Sequence, residues 1–438
     1  MNTDLKENSS NKYDTYRILA KDCFANNNTR ITGLNNNDLI IGPSGAGKTR
    51  GYVKPNIMQC NESMIIADTK GNLIKEVGPI FKNNGYKLIN MNFKDLSQAY
   101  GYNPLDYIRY DKKNDKYSEQ DIMTVASTLI PSPNNSKDPF WELAAKMYLT
   151  CMIAYIMECL PPEEHTLEYA VELTYEMTNG NFRSLITELK HINPNSLAVK
   201  SFKLFENNYR SEKTEASIIA ILGEKLNGLN FDAVVKMYSN QNKINFKNLG
   251  REKTVVFLTI SDTDRSMDRL ISLFYTQALH ELCNSADTDY DDNRLPVPVR
   301  FILDDFATNA YIPDFENIIS VIRSREIYVS IILQSITQLT ALYGDANAKT
   351  IINNCDNCLY LGGQDIDTAR YISLKANKTI NTVLDMPLNE ALLFTRGQAV
   401  RKVEKYDIKQ HERYCELPEY SASKPDKTQN KQTDTYIH

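Results

Sequence analysis

An apolar run, Asp38-Leu39-Ile40-Ile41, opens directly into Gly42-Pro43-Ser44-Gly45-Ala46-Gly47-Lys48-Thr49. The octapeptide fits G-x-x-x-x-G-K-[ST], which acquires its meaning only between a buried strand and a helix. Here residues 38–41 supply the strand, and a helix is expected from near Lys48. The glycines let successive backbone N–H groups turn inward around phosphate oxygens, and the helix start adds its positive end. The loop Gly42, Pro43, Ser44, Gly45, Ala46, Gly47, Lys48 and Thr49 is therefore read as the cradle of a nucleotide triphosphate, ATP. Lys48 reaches the β- and γ-phosphates, and the Thr49 hydroxyl is a Mg2+ ligand.

A matching acidic motif lies far downstream. Phe301-Ile302-Leu303-Asp304-Asp305 is an apolar run ending in two carboxylates. A strand of this kind delivers its terminal acid to the sheet edge beside the phosphate loop. Asp304 is read as the Mg2+ holder, through water, and Asp305 as the group that polarises the attacking water. Many translocases carry Glu at the second position; Asp is shorter by one methylene, about 1.5 Å, and displacements of that order slow catalysis. The next apolar run ends in Gln334, a polar amide placed to sense the γ-phosphate. Just before that run lies Ile322-Arg323-Ser324-Arg325, from which an arginine could reach a neighbouring subunit's nucleotide.

Around these motifs, short β-branched or aliphatic runs at 38–41, 64–67, 86–91, 254–260, 299–304, 328–334 and 357–361 alternate with helical patterns. Several are apolar throughout, as in parallel strands covered on both faces. The fold class is α/β, with a largely parallel central sheet. The alternation stops at about 104. Residues 121–130, 140–159, 167–177, 182–191, 196–207 and 214–226 then follow one another as helices. The expected organisation is a flexible segment 1–30, a nucleotide-binding domain 31–104, an all-α insertion 105–245, the second part of the nucleotide-binding domain 246–416, and a disordered tail 417–438.

Composition narrows the class further. Across 438 residues the net charge is −5, which argues against a protein that coats nucleic acid with a basic surface. No stretch is long and apolar enough to span a bilayer, and the polar N-terminus has no signal-peptide core. A cytoplasmic chain, held at the inner face of the membrane by partners, is expected. The eight cysteines are read as free thiols. Cys355-x-x-Cys358 has no second pair or histidines at matching spacing, so it is not read as a metal site.

Several segments taken together resemble the conjugative type IV coupling proteins, TraG/TraD-like, and especially their Gram-positive branch. They are the phosphate loop with Val53-Lys54-Pro55-Asn56; Ala67-Asp68-Thr69-Lys70-Gly71; Asn103-Pro104-Leu105; Asp138-Pro139-Phe140-Trp141-Glu142; Asp262-Thr263-Asp264 with Tyr275-Thr276-Gln277; the acidic motif with Ile312-Pro313-Asp314-Phe315; the stretch from Ile322 to Ser335; and Asn354-Cys355-Asp356 with Leu361-Gly362-Gly363. The likeness runs from about 35 to 414. Where the family usually has Asp-Pro-Lys-Gly-Glu, this chain has Thr69 for the Pro and Asn72 for the Glu, which weakens a role for Lys70.

The resemblance implies a RecA-like P-loop motor that works as a homo-hexamer. It implies DNA, single-stranded, or a relaxase–DNA complex in the central channel, relaxosome proteins as partners, and docking on a type IV secretion channel. By its spacing to Gln334, Arg323 matches the family's trans-acting arginine better than Arg325 does. Family members usually begin with two transmembrane helices and this chain shows neither, so either a separate small membrane protein supplies the anchor or this is a soluble member recruited by its partners. Two competing readings share the nucleotide site: a docking adaptor with little turnover, and an FtsK-like DNA pump.

Overall fold

The computed structural model describes residues 15–131, 140–208, 212–306 and 311–422. Two short strands, β1 (Tyr16–Ala20) and β2 (Cys23–Asn26), pair as an antiparallel hairpin. The strands that follow are β3 (Asp38–Ile41), β4 (Ser63–Asp68), β5 (Lys87–Asn92), β6 (Tyr110–Asp111), β7 (Lys116–Tyr117), β8 (Thr254–Thr259), β9 (Val299–Leu303), β10 (Ile327–Leu333), β11 (Asn357–Tyr360), β12 (Glu390–Thr395) and β13 (Arg401–Glu404). β6 and β7 form a separate ribbon. Nine strands join one sheet in the order β13-β12-β11-β3-β10-β9-β4-β8-β5. From β11 to β5 every pairing is parallel, and β12 and β13 add an antiparallel edge.

Every residue of β3, β4, β8, β9, β10 and β11 is buried. That is why these segments read as continuous apolar runs rather than alternating ones. β5, at the edge, alternates instead. Successive side chains of a strand face opposite sides, so the sheet divides the interior into two cores. Leu39 and Ile41 belong to one, and Ile40 to the other; Phe301 and Leu303 face the first, and Ile302 the second. The second core is closed by Tyr52, Val53 and Ile57 after β3 and by Val77, Ile80 and Phe81 of the helix Leu73–Asn83. The first is closed by the helix Asp268–Asp289 and by the helices that interrupt the sheet.

Those interrupting helices are Glu119–Leu129, Phe140–Cys159, Leu167–Thr178, Asn181–Ile192, Leu197–Asn208, Glu212–Leu226 and Asp232–Ser239. Phe140–Cys159 lies at their centre, with the Tyr148 ring 4.3 Å from that of Phe205. Neighbouring helices cover it, which explains a 20-residue run that is apolar nearly all round. No helix among the described residues is long and apolar enough to cross a membrane.

Four stretches differ from the sequence reading. The β6–β7 ribbon, Tyr110–Asp111 with Lys116–Tyr117, lies inside the 105–245 span expected to be all-α. Residues 16–26, expected within a flexible segment, form the β1–β2 hairpin, because Arg17 is drawn into the sheet by Asp38 at 2.6 Å. β12 and β13 were not expected as strands: β12 carries the buried apolar run Ala391–Phe394, which pairs with β11, whereas β13, Arg-Lys-Val-Glu, has no apolar run and is a strand by its pairing with β12. Residues 418–422, expected in a disordered tail, form a short helix behind the buried Leu417. Residues 1–14 and 423–438 lie outside the described residues, as do Asp138 and Pro139 of the family-like segment.

Candidate active site

β3 delivers the phosphate loop to the carboxyl edge of the sheet. Gly42 N donates to Leu333 O of β10 at 3.1 Å, tying the loop's first residue to the neighbouring strand. Gly45 and Gly47 take φ values of +79° and +90°, with open space where a Cβ would stand. Backbone conformation, not crowding, therefore requires glycine at those two positions. At Gly42 the reason is reversed: a Cβ there would lie 2.9 Å from Leu361 Cβ and 3.0 Å from Ala46 Cβ.

The helix after the loop begins at Thr49, close to where the motif places it, but as a π turn, Thr49–Val53, followed by Lys54–Ile57. Pro55 explains the widening. It has no N–H to give to Gly51 O, and its ring would crowd that carbonyl in a regular α-turn. Lys48 is 8% exposed. Its Nζ donates to Gly42 O at 2.7 Å and Pro43 O at 3.2 Å, so the ammonium folds over the loop.

β9 brings Asp304 to the same edge. Thr49 Oγ1 lies 3.4 Å from Asp304 Oδ2. Burial pushes the Asp304 carboxyl up to about 6, the neighbouring Asp305 adds to this, and Lys48 opposes it. Asp305 sits at φ +49° and donates its N–H to Asp304 Oδ1 at 3.1 Å. From the tip of β10, Gln334 places Nε2 3.5 Å from Asp305 Oδ1, at the outer limit of a hydrogen bond.

Lys48, Thr49, Asp304, Asp305 and Gln334 line one cavity of about 420 Å3 with the loop residues Pro43, Ser44, Gly45 and Gly47. Gly42 and Ala46 stand beside it as loop backbone. The donor set suits a hydrated Mg2+, which takes oxygen ligands and retains waters: a hydroxyl and a carboxylate converge, and the open cradle beside them suits phosphate.

The cavity also holds residues to which the motifs assign no part. Asp68 ends β4, next to β9, and accepts from Asn72 N and Ile74 N at 3.1 and 3.2 Å; burial raises its pKa. Lys54, nearly buried, pairs with Glu76. Lys70 lines the wall despite the altered segment around it. A lysine in the apolar register after the phosphate loop was the one available signal for the Lys54–Glu76 pair.

Arg323 is elsewhere. It lies in the turn Ile322–Arg325 that precedes β10, whereas Gln334 follows that strand. Seven strand residues separate the two ends, roughly 23 Å at about 3.3 Å per residue. Its guanidinium donates to Thr29 O at 3.3 Å. Arg325 is held in a two-bond pair with Asp287, both at 2.8 Å. Cys355 and Cys358 are buried, the latter thiol pushed up to about 11 by burial. Among the described residues no group of three or more metal-ligating side chains gathers.

A parallel sheet with the phosphate loop on β3, the acidic pair on β9 and β10 between them defines a RecA-like P-loop nucleotide-binding fold. The chain belongs to the type IV secretory system conjugative DNA transfer family, whose model matches residues 4–383. It is 24% identical over 339 residues to Protein VirD4 of Agrobacterium fabrum, covering 76% of this chain and 48% of that protein. The chain thus spans about half the length of that relative. Among solved structures it is similar to the bacterial conjugative coupling protein TrwBdeltaN70 in its unbound form, with a TM-score of 0.64, 18% identity, and 86% and 85% of the two chains covered. TrwB in complex with ADP and Mg2+ matches at a TM-score of 0.62 and 16% identity, covering 85% of each chain.

Proposed function

We propose that this protein is an ATP-hydrolysing motor that couples a relaxase–DNA substrate to a type IV secretion channel. The observation that carries the reading is the meeting of Lys48, Thr49 and Asp304 in one cavity at the carboxyl edge of the sheet. Loop amides and Lys48 hold the triphosphate. Thr49 and Asp304 are the residues that would hold Mg2+, whose chemistry is to neutralise charge on the phosphate oxygens. Asp305 draws a proton from the attacking water, and Gln334, beside it, orients that water. TrwB, described as binding ADP with Mg2+, supports this cofactor pair.

Arg323 stands too far along β10 to serve its own cavity, which favours a role in a neighbour's site. In a ring of copies, homo-hexameric by family likeness, it would act on the adjacent subunit's nucleotide. DNA and channel proteins as partners rest on membership in the type IV secretory system conjugative DNA transfer family. The decisive experiment is ATP turnover with and without single- and double-stranded DNA, alongside mass measurement of the assembly. DNA-stimulated turnover abolished by Lys48→Ala supports the motor.

One observation favours a second reading, an adaptor whose docking is set by nucleotide occupancy: the acid at 305 is the shorter Asp. Substrate binding that depends on ATP, without turnover, would establish it.

A further inference from the structure

The residues matched by the family model end at 383, yet the chain beyond that point returns to the phosphate loop. Lys405, directly after β13, sends Nζ to Ala46 O at 3.0 Å and to Leu361 O at 3.0 Å. Ala46 is inside the phosphate loop, and Leu361 follows β11. Leu361 N in turn donates to Ile41 O at 2.8 Å, at the last residue before the loop. The backbone of Lys405 is itself pinned, its N–H donating to Asn389 O at 3.0 Å. One ammonium thus joins the loop, the strand tip beside it and the C-terminal edge of the sheet.

The Ala46 carbonyl and the Gly47 N–H belong to one planar trans peptide and point in opposite directions. A cation that holds the Ala46 oxygen on the loop's outer side aims the Gly47 N–H toward the inner side, where phosphate is cradled. Gly47, at φ +90°, has little steric restraint of its own and can flip. We infer that Lys405 is a positioning residue for the phosphate loop, presetting the Gly47 amide for a phosphate oxygen. Nearby contacts extend the same clasp: Glu419 accepts two bonds from Arg50, at 2.6 and 3.1 Å, and Arg50 lines the nucleotide cavity.

The inference rests on the nucleotide-binding reading of the loop, but its test has an arm that needs no nucleotide. In the full chain, Lys405→Met and Lys405→Arg are compared with the wild type in two measurements. The first is equilibrium binding of ADP and ATP with Mg2+. Loss of a charge-assisted hydrogen bond predicts about tenfold weaker binding for Lys405→Met. Near-native affinity and melting temperature are expected for Lys405→Arg. The second is backbone amide exchange over residues 44–48 in nucleotide-free protein, expected to quicken in Lys405→Met and not in Lys405→Arg. Native exchange in Lys405→Met overturns the inference, and so does a binding loss that tracks a fall in melting temperature without rescue by Arg. If the wild type binds no nucleotide, the nucleotide reading fails, and the exchange comparison alone decides the role of Lys405.

Discussion

The Thr49 hydroxyl stands 3.4 Å from Asp304 Oδ2, although 255 positions of sequence separate the two residues. Asp304 is the more strained partner, buried beside Asp305 with its carboxyl pushed up to about 6 from an ordinary 3.8. The folded chain therefore binds this proton more tightly than the unfolded one, and metal-free stability falls as pH rises between about 4 and 6. Asp304→Asn should raise the metal-free melting temperature at pH 7.5, by the equivalent of about 1–3 kcal/mol. That advantage should vanish near pH 4, while Mg2+-dependent tightening of ATP binding is lost. Thermal melts across pH, with and without Mg2+, check both halves.

Asp305 adopts a left-handed backbone, a conformation that Asn also tolerates. Asp305→Asn should thus leave the loop undisturbed and ATP affinity near native, while kcat falls about 10²- to 10⁴-fold, the range for loss of a general base. A variant that hydrolyses ATP at the wild-type rate would remove Asp305 from the chemistry. Asp305→Glu tests whether the shorter acid limits turnover.

Arg323 and Arg325 lie in one turn but have different partners. Arg325 is engaged by Asp287, and Arg323 faces the chain segment at Thr29. Arg323→Ala should cut turnover of the assembled protein by about 10³-fold with little change in nucleotide binding, whereas Arg325→Ala should act mainly on stability. Mixing Arg323→Ala with Lys48→Ala subunits should restore partial activity, since each supplies what the other lacks. An inactive mixture in which both variants co-assemble would sink the trans assignment.

Arg17 and Asp38 form a pair in which both side chains are almost wholly buried, with Tyr52 and Arg300 around the same carboxylate. Burial pushes the Asp38 carboxyl up, but Arg17 and then Arg300 outweigh it and hold it below its usual range. Its stabilisation is present above about pH 4 and lost as pH falls through the lower, folded-state value. Arg17→Met leaves that carboxylate short of a partner and should destabilise the fold by about 3–5 kcal/mol. The loss should be greatest at neutral pH and shrink as acid protonates Asp38. Urea unfolding at pH 7 and pH 3.5 measures the difference.

Much of the sheet was legible before the structure. A strand buried on both faces has no polar register, so 38–41, 64–67, 254–260, 299–304, 328–334 and 357–361 stand out as apolar runs, and each overlaps a strand in the parallel part of the sheet. The hairpin Tyr16–Asn26 and the antiparallel strands Glu390–Thr395 and Arg401–Glu404 were not read as strands. Their pairing depends on neighbours distant in sequence: β13, exposed at the edge, needs no apolar run, and the short run Ala391–Phe394 of β12 is set as a strand by β11 and β13. Lys405 was silent for the same reason, because a lysine near the end of the chain reads as a solvated charge until β13 sets it behind Ala46.

Local chemistry was encoded in the chain itself: glycines that allow φ near +79° and +90° in the loop, a lysine and threonine after them, and a hydrophobic strand ending in two acids. These depend on covalent backbone freedom and on side-chain type, which neighbouring residues alone specify. Tertiary packing decided which distant groups share a space. It set Asp304 against Thr49, Gln334 near Asp305, Glu76 on Lys54 and Lys405 on Ala46. Such meetings follow from the order of parallel strands in the sheet, and long-range burial, not local preference, sets that order.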